Sequence, residues 1–142
     1  MSLVNIFDIA GSGMAAQSIR LNTTASNLAS ADAAASSTEE TYRARHPIFA
    51  ALEQDVLNFE SDAEGGNIGV KVLGVVESEA PLQPRYEPLH PLADEEGYVY
   101  YPNVNVVEEM ANMISATRSF QMNVEVMNSA KQMMQRVLTL GQ

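Results

Sequence analysis

No cysteine occurs among the 142 residues, so disulfides, thiolate metal sites and a cysteine nucleophile are excluded. Basic residues are scarce: Lys and Arg total 8 against 18 Asp and Glu, a formal net charge of -10. That sign repels phosphate backbones and argues against a nucleic-acid partner. No uninterrupted apolar run approaches the ~20 residues of a membrane-spanning helix, which argues against membrane insertion. The opening MSLVNIFDIAGSG holds no Lys or Arg, and Asp8 stands where the apolar core of a secretory signal would lie. A cleaved signal is therefore not expected, and export would need another route. Hydrophobic residues are plentiful at 46%, and the length suits one modest domain.

The acidic excess is uneven. Residues 1–31 carry one acid (Asp8) and one base (Arg20), and residues 105–142 balance Glu108, Glu109 and Glu125 with Arg118, Lys131 and Arg136. Residues 32–96 hold 14 acids and 4 bases, so the whole net charge belongs to the middle. Two neutral ends around an acidic centre predict that the ends associate while the centre is solvated. The expected organisation is an N-terminal helix over 1–31, a linker and acidic β-rich insert over 32–104, and a C-terminal helix over 105–142.

The C-terminal segment has the clearest periodicity. Val106, Met110, Met113, Thr117, Phe120, Val124, Met127, Lys131, Met134 and Leu138 follow alternating spacings of four and three, and all but Thr117 and Lys131 are apolar. Asn105 suits the N-cap with Glu108 reaching back, and Gly141 suits the C-cap. The N-terminal segment repeats the pattern through Leu3, Phe7, Ala10, Met14, Gln17, Leu21, Thr24 and Leu28, with Asn5 and Asp8 as its capping pair. Gly11 and Gly13 lie inside it and should each cost about 1 kcal/mol against alanine. Narrow seams on long helices predict a coiled coil. Ile6, Ile9, Ile19, Val107, Ile114, Met122, Val126, Met133 and Val137 lie off the seams. One partner helix cannot cover them, so further subunits are implied.

In the middle, residues 29–41 read as a linker or a frayed helical extension. Ile68–Val72 alternates as a half-buried strand does and continues into LGVVES, with Gly65 and Gly66 as the turn before it. Tyr42–Phe49 and Gly97–Tyr101 are weaker strand candidates. Pro81, Pro84, Pro88 and Pro91 keep the stretch between them extended. The fold class is thus mainly α with a small β-rich insert.

Chemical motifs are weak. Gly11-Ser12-Gly13-Met14-Ala15-Ala16 fits a dinucleotide fingerprint with Asp32 some way beyond, but the glycines interrupt a helical seam rather than follow a strand. Glycines permitting close helix contact is the better reading. His90 with Asp94, Glu95 and Glu96 lacks the stricter spacing of a calcium loop, and the serines lie in helices or the Ala/Ser stretch, leaving no Ser-His-Asp arrangement. No catalytic, cofactor or metal residue is assigned. The six methionines of the C-terminal helix read as core or as subunit contact, which are the same thing in an assembly.

Three stretches resemble the bacterial flagellar axial proteins, most closely those of the proximal rod. They are NIFDIAGSGMAAQSIRLNTTASNLASAD with its closing Asn27-Leu28-Ala29, YEPLHPLADEEGYVYYPNV, and NVVEEMANMISATRSFQMNVEVMNSAKQMM with Glu109-Met110 and Arg118-Ser119-Phe120. The family's pattern is absent from residues 31–41 and from Leu52–Gly66. The resemblance implies a non-enzymatic subunit whose paired terminal helices build the inner tube of a torque-transmitting rod. It implies export through the flagellum's own apparatus without a cleaved signal. The implied partners are copies of itself, other rod proteins and, at the base of the rod, the membrane ring. On that reading Leu3, Phe7, Met14, Leu21, Leu28, Val106, Met110, Met113, Phe120, Val124, Met127, Met134 and Leu138 form the subunit interface. Gln17, Thr24, Thr117 and Lys131 set its register. A soluble helical-hairpin module, such as an export adaptor or chaperone, is the alternative, and an enzyme using Gly11–Ala16 is a weaker third.

Overall fold

The computed structural model describes residues 3–52 and 69–140. Two long helices, α1 (Leu3–Ala29) and α2 (Val106–Leu140), flank a β-containing middle of four strands. These are β1 (Arg45–Leu52), β2 (Gly69–Glu77), β3 (Gln83–Tyr86) and β4 (Tyr98–Tyr101). They make two separate antiparallel hairpins, β1 with β2 and β3 with β4. Helix α2, 35 residues long, spans about 52 Å at 1.5 Å per residue.

The Asn105 cap is present: its Oδ1 accepts the amides of Val107 (3.1 Å) and Glu108 (3.4 Å). The expected cap at Asn5 is not, because α1 already begins at Leu3 and takes Asn5 into its first turns. Gly141, the Gly65-Gly66 turn and Ile68 lie outside the described residues. Residues 30–41 are neither helix nor free linker. They turn and cross to the second hairpin, where Ala35 and Tyr100 exchange both backbone hydrogen bonds at 3.0 Å. The strand expected at Tyr42–Phe49 lies three residues later, at Arg45–Leu52, because residues 42–44 anchor its base instead.

The two helices run antiparallel: Gly13 lies against Asn123, and Arg20 Nη2 donates to Asn112 Oδ1 at 2.9 Å. The hairpin of β1 and β2 lies along another side of α1. It is held near one end by Asn27 and near the other by the Val70 amide, which donates to Ser12 Oγ at 3.2 Å. The register slips between Ile48 and Phe49, leaving Leu73 as the unpaired bulge residue. This hairpin is exposed along most of both strands rather than half-buried, with Ile48, Phe49, Leu52, Val70, Leu73, Val75 and Val76 all open to solvent.

Candidate assembly surface

Helix α2 buries small or polar residues and exposes large ones. Its buried and half-buried row runs Glu109, Met113, Ala116, Phe120, Asn123, Met127, Ala130 and Met134. The spacing is the expected alternation of four and three, but every second position sits one residue earlier than the apolar pattern places it. Met113, Phe120, Met127 and Met134 are shared with the expected seam. Ala116 and Ala130, each 0% exposed, replace Thr117 and Lys131, which face outward. Met110 gives way to Glu109, Val124 is half-buried beside Asn123, and Val106 and Leu138 are exposed. On α1 Ala10, Ala16, Thr23, Thr24 and Asn27 are buried, and Gly13 and Arg20 meet α2 at Asn123 and Asn112. Phe7, Met14, Leu21 and Leu28 are only half-buried. The side chain of Leu3 lies outside what is described.

The rotation has a steric cause. Helices whose facing rows carry alanine and glycine approach closely, and the apolar bulk is turned away from the contact. A Cβ on Gly13 would stand 2.8 Å from Asn123 Nδ2, so the glycine makes room for that side chain. A Cβ on Gly11 would meet no neighbouring group within 4 Å. Gly11→Ala is therefore expected to stabilise the isolated chain by up to ~1 kcal/mol. Gly13→Ala should gain nothing, because Asn123 must swing aside. Thermal melts of both variants check this, and equal gains would refute the close approach. The Gly11–Ala16 motif lies wholly inside α1, so it has no strand before it and no phosphate-binding turn.

The outward face of α2 presents Val107, Met110, Ile114, Met122, Val126, Met133, Val137 and Leu138, with Val107 76% and Ile114 70% exposed. Near its C-terminal half, Ile6 joins Met122, Val126, Ala130 and Met133 around an open groove of about 440 Å³. Exposed large apolar residues at both ends of one helix mark an interaction surface.

Two side-chain amides, buried Asn27 and half-buried Asn103, hold the middle onto the helices. Asn27, 0% exposed, accepts the Arg45 amide (2.9 Å) and the Tyr42 hydroxyl (2.9 Å) on Oδ1 and donates Nδ2 to the Arg45 carbonyl (2.8 Å). Asn103 accepts the Ala44 amide at 2.8 Å and donates to the carbonyls of Ala80 (2.9 Å) and Ser78 (3.3 Å). One clamps the base of the first hairpin to α1; the other ties both ends of that hairpin to the approach to α2. Sequence periodicity offers no signal for either role.

The His90 to Glu96 stretch is a scaffolded loop. Asp94 Oδ1 accepts the amides of Glu96 (3.0 Å) and Tyr98 (2.8 Å), and His90 Nδ1 accepts that of Leu92 (3.1 Å). Gly97 has a φ of 85°, and a Cβ there would crowd Tyr86 and Pro88. Partial burial, reinforced by the Asp94 carboxylate, raises the Tyr100 hydroxyl above the ordinary tyrosine range. Among the described residues no group of three or more His, Asp or Glu could hold a metal ion, and no helix is long and apolar enough to cross a membrane.

Residues 7–33 match the family Flagella basal body rod protein, and residues 95–140 match Flagellar basal body rod FlgEFG protein C-terminal. Those spans are most of α1 with its closing turn, and β4, the loop after it and α2. Full-length relatives carry the match across the middle as well. The flagellar basal-body rod protein FlgC of Salmonella typhimurium is 52% identical over 144 residues, covering all of both chains. FlgC of Escherichia coli O6:H1 is 53% identical over 142 residues, again covering all of both. The chain belongs to the FlgC family of flagellar basal-body rod proteins. FlgC of Buchnera aphidicola from Acyrthosiphon pisum is similar over its whole length too, at 39% identity. As a FlgC-type chain it is a structural subunit of the flagellar basal-body rod. Its exposed apolar helix face is the part of the fold suited to that role.

Proposed function

We propose that this chain polymerises through its terminal helices into the hollow proximal rod, a drive shaft that carries torque from motor to hook. The observation that carries the reading is the packing of α2, with Ala116 and Ala130 fully buried while Val107, Met110, Ile114, Met122, Val126 and Val137 stand exposed. In the polymer α1 and α2 supercoil as a coiled coil, the outer face of α2 is covered by neighbouring copies, and the β-containing middle over 32–104 forms a separate layer. Head-to-tail contacts that do not close on themselves generate a helical tube. Its partners are copies of itself, other rod proteins and the membrane ring at the rod base. It reaches the periplasm through the flagellar export apparatus without a cleaved signal, and it performs no catalysis. Leu3, Phe7, Met14, Leu21, Leu28, Val106, Met110, Met113, Phe120, Val124, Met127, Met134 and Leu138 make up the helix–helix and intersubunit contacts.

Phe120→Asp is the direct test. It places a carboxylate in the half-buried centre of the helix pair, at a desolvation cost of several kcal/mol. Swimming should be lost in cells whose only copy carries it, and normal swimming would sink the helix assignment. Hydrogen exchange on the dilute, monomeric chain separates the rod from the adaptor. Faster exchange in both helices of the monomer than in assembled rods is expected of the rod subunit, whose outer helix face only assembly covers. Slow exchange in the monomer is the mark of a self-sufficient hairpin.

A further inference from the structure

We propose that the loop between β3 and β4 is a docking knob that seats Leu89 in a groove of a neighbouring copy of this chain; this rests on the rod reading and adds a second contact outside the helices. Leu89 is 99% exposed, the most open large hydrophobic residue described. A floppy loop could carry such a residue without consequence, but this loop is rigidly built. Pro88 and Pro91 bracket it, the His90 amide donates to Glu87 O and the Ala93 amide to His90 O, both at 3.0 Å. The His90 ring and the Asp94 carboxylate accept three further amides. A leucine held out on a preordered turn loses little conformational entropy on binding, which favours a binding role.

The knob is acidic. Residues 87–96 contain Glu87, Asp94, Glu95 and Glu96 and no base. The matching recess lies where α1, β1 and α2 meet. It has a volume of about 310 Å³ and is lined by Arg20, Thr24, Arg45, His46, Pro47, Phe49 and Asn112, with no acid among them. Arg20 donates to the neutral Asn112 amide, a bond that leaves its charge unneutralised. Arg45 pairs with Glu77 at the rim while its neighbours Pro47 and Phe49 supply apolar wall. In a chain of net charge -10 with 8 bases, a partly apolar recess lined by Arg20, Arg45 and His46 and by no acid stands apart from the acidic knob in charge. A leucine flanked by carboxylates fits it in shape and charge. The exposure of Leu89 shows that the knob does not fill its own chain's groove, so the contact runs from copy to copy and propagates.

A photoreactive benzophenone side chain at position 89 tests this directly, because nothing in the fold rests on Leu89. Irradiation of flagellated cells, isolation of basal bodies and mapping of the cross-linked peptides should place most adducts within residues 43–52 of a second copy. Adducts on another rod protein, or elsewhere on this chain, would overturn the knob and leave the rod reading standing. Absence of the unmodified chain from basal bodies would overturn both. Should the bulky probe block assembly, co-expressed L89C and H46C chains replace it. The natural chain lacks cysteine, so a mixed disulfide dimer in rods supports the contact. Rods containing both variants but no mixed dimer refute it.

Discussion

Replacing both Ala116 and Ala130 by leucine is expected to abolish swimming in cells that carry no other copy of the chain. Both alanines are fully buried, and the helices approach closely enough that the glycine at position 13 leaves room only for the Asn123 amide. Added methylenes at such sites typically cost about 1–3 kcal/mol each through forced rotamers and backbone shifts. Two of them on consecutive stretches of one face would prise the pair apart along its length. The informative comparison moves each change by one residue. Thr117→Leu with Lys131→Leu places the same bulk on exposed positions, where surface substitutions usually stay within ~0.5 kcal/mol. Rod incorporation of both pairs, read in isolated basal bodies, decides the register. Loss with the second pair and tolerance of the first would return the seam to the position that apolar spacing alone predicts.

Asn27→Asp should unfold the junction between α1 and the first hairpin at neutral pH, although the side chain hardly changes shape. The amide donates to one backbone carbonyl and accepts an amide and a hydroxyl, all between 2.8 and 2.9 Å. A carboxylate keeps the acceptors but loses the donor, and sets a buried negative charge against the Arg45 carbonyl. Leaving a buried charge uncompensated in this way costs about 3–5 kcal/mol. Burial raises the folded pKa of the new carboxyl above the ~3.9 of an unfolded aspartate. The folded state then binds more protons than the unfolded state, so stability falls as pH rises above that value. Near pH 4 the protonated acid can again donate to the Arg45 carbonyl. The expected result is a melting temperature close to wild type in acid and well below it at pH 7. A flat difference across that range would show that the clamp is not the source of the loss.

Both expectations concern features that apolar spacing reads poorly. In α2 the pattern points to a stripe, but valine, isoleucine and methionine also occupy neighbouring stripes, and hydrophobicity cannot rank them. What selects the inward row is how closely a second helix can approach, a matter of alanine and glycine. These score as weakly apolar. Lys131 and Thr117 were expected inside only because they complete the period; Ala130 and Ala116 complete it one residue earlier and fit. The cap at Asn105 was legible because its partners are two and three residues away. At Asn5 the same residue type is no cap, since the helix already runs through it.

From the sequence alone came the two long helices, the strand at Gly69–Glu77, the acidic middle and the resemblance to flagellar rod proteins. Each rests on local spacing, on composition or on contiguous motifs. The proline stretch expected to be extended is so only at Gln83–Tyr86 and turns from Pro88 to Leu92. Only the tertiary structure decided which face of each helix turns inward and which apolar residues are left for neighbours. It also decided that the strands form two separate hairpins, and that Asn27 and Asn103 hold the first of them in place. Those outcomes depend on groups 18 to 59 residues apart meeting at hydrogen-bond distance. They follow from the closest packing the small side chains permit, which no periodicity along the chain records.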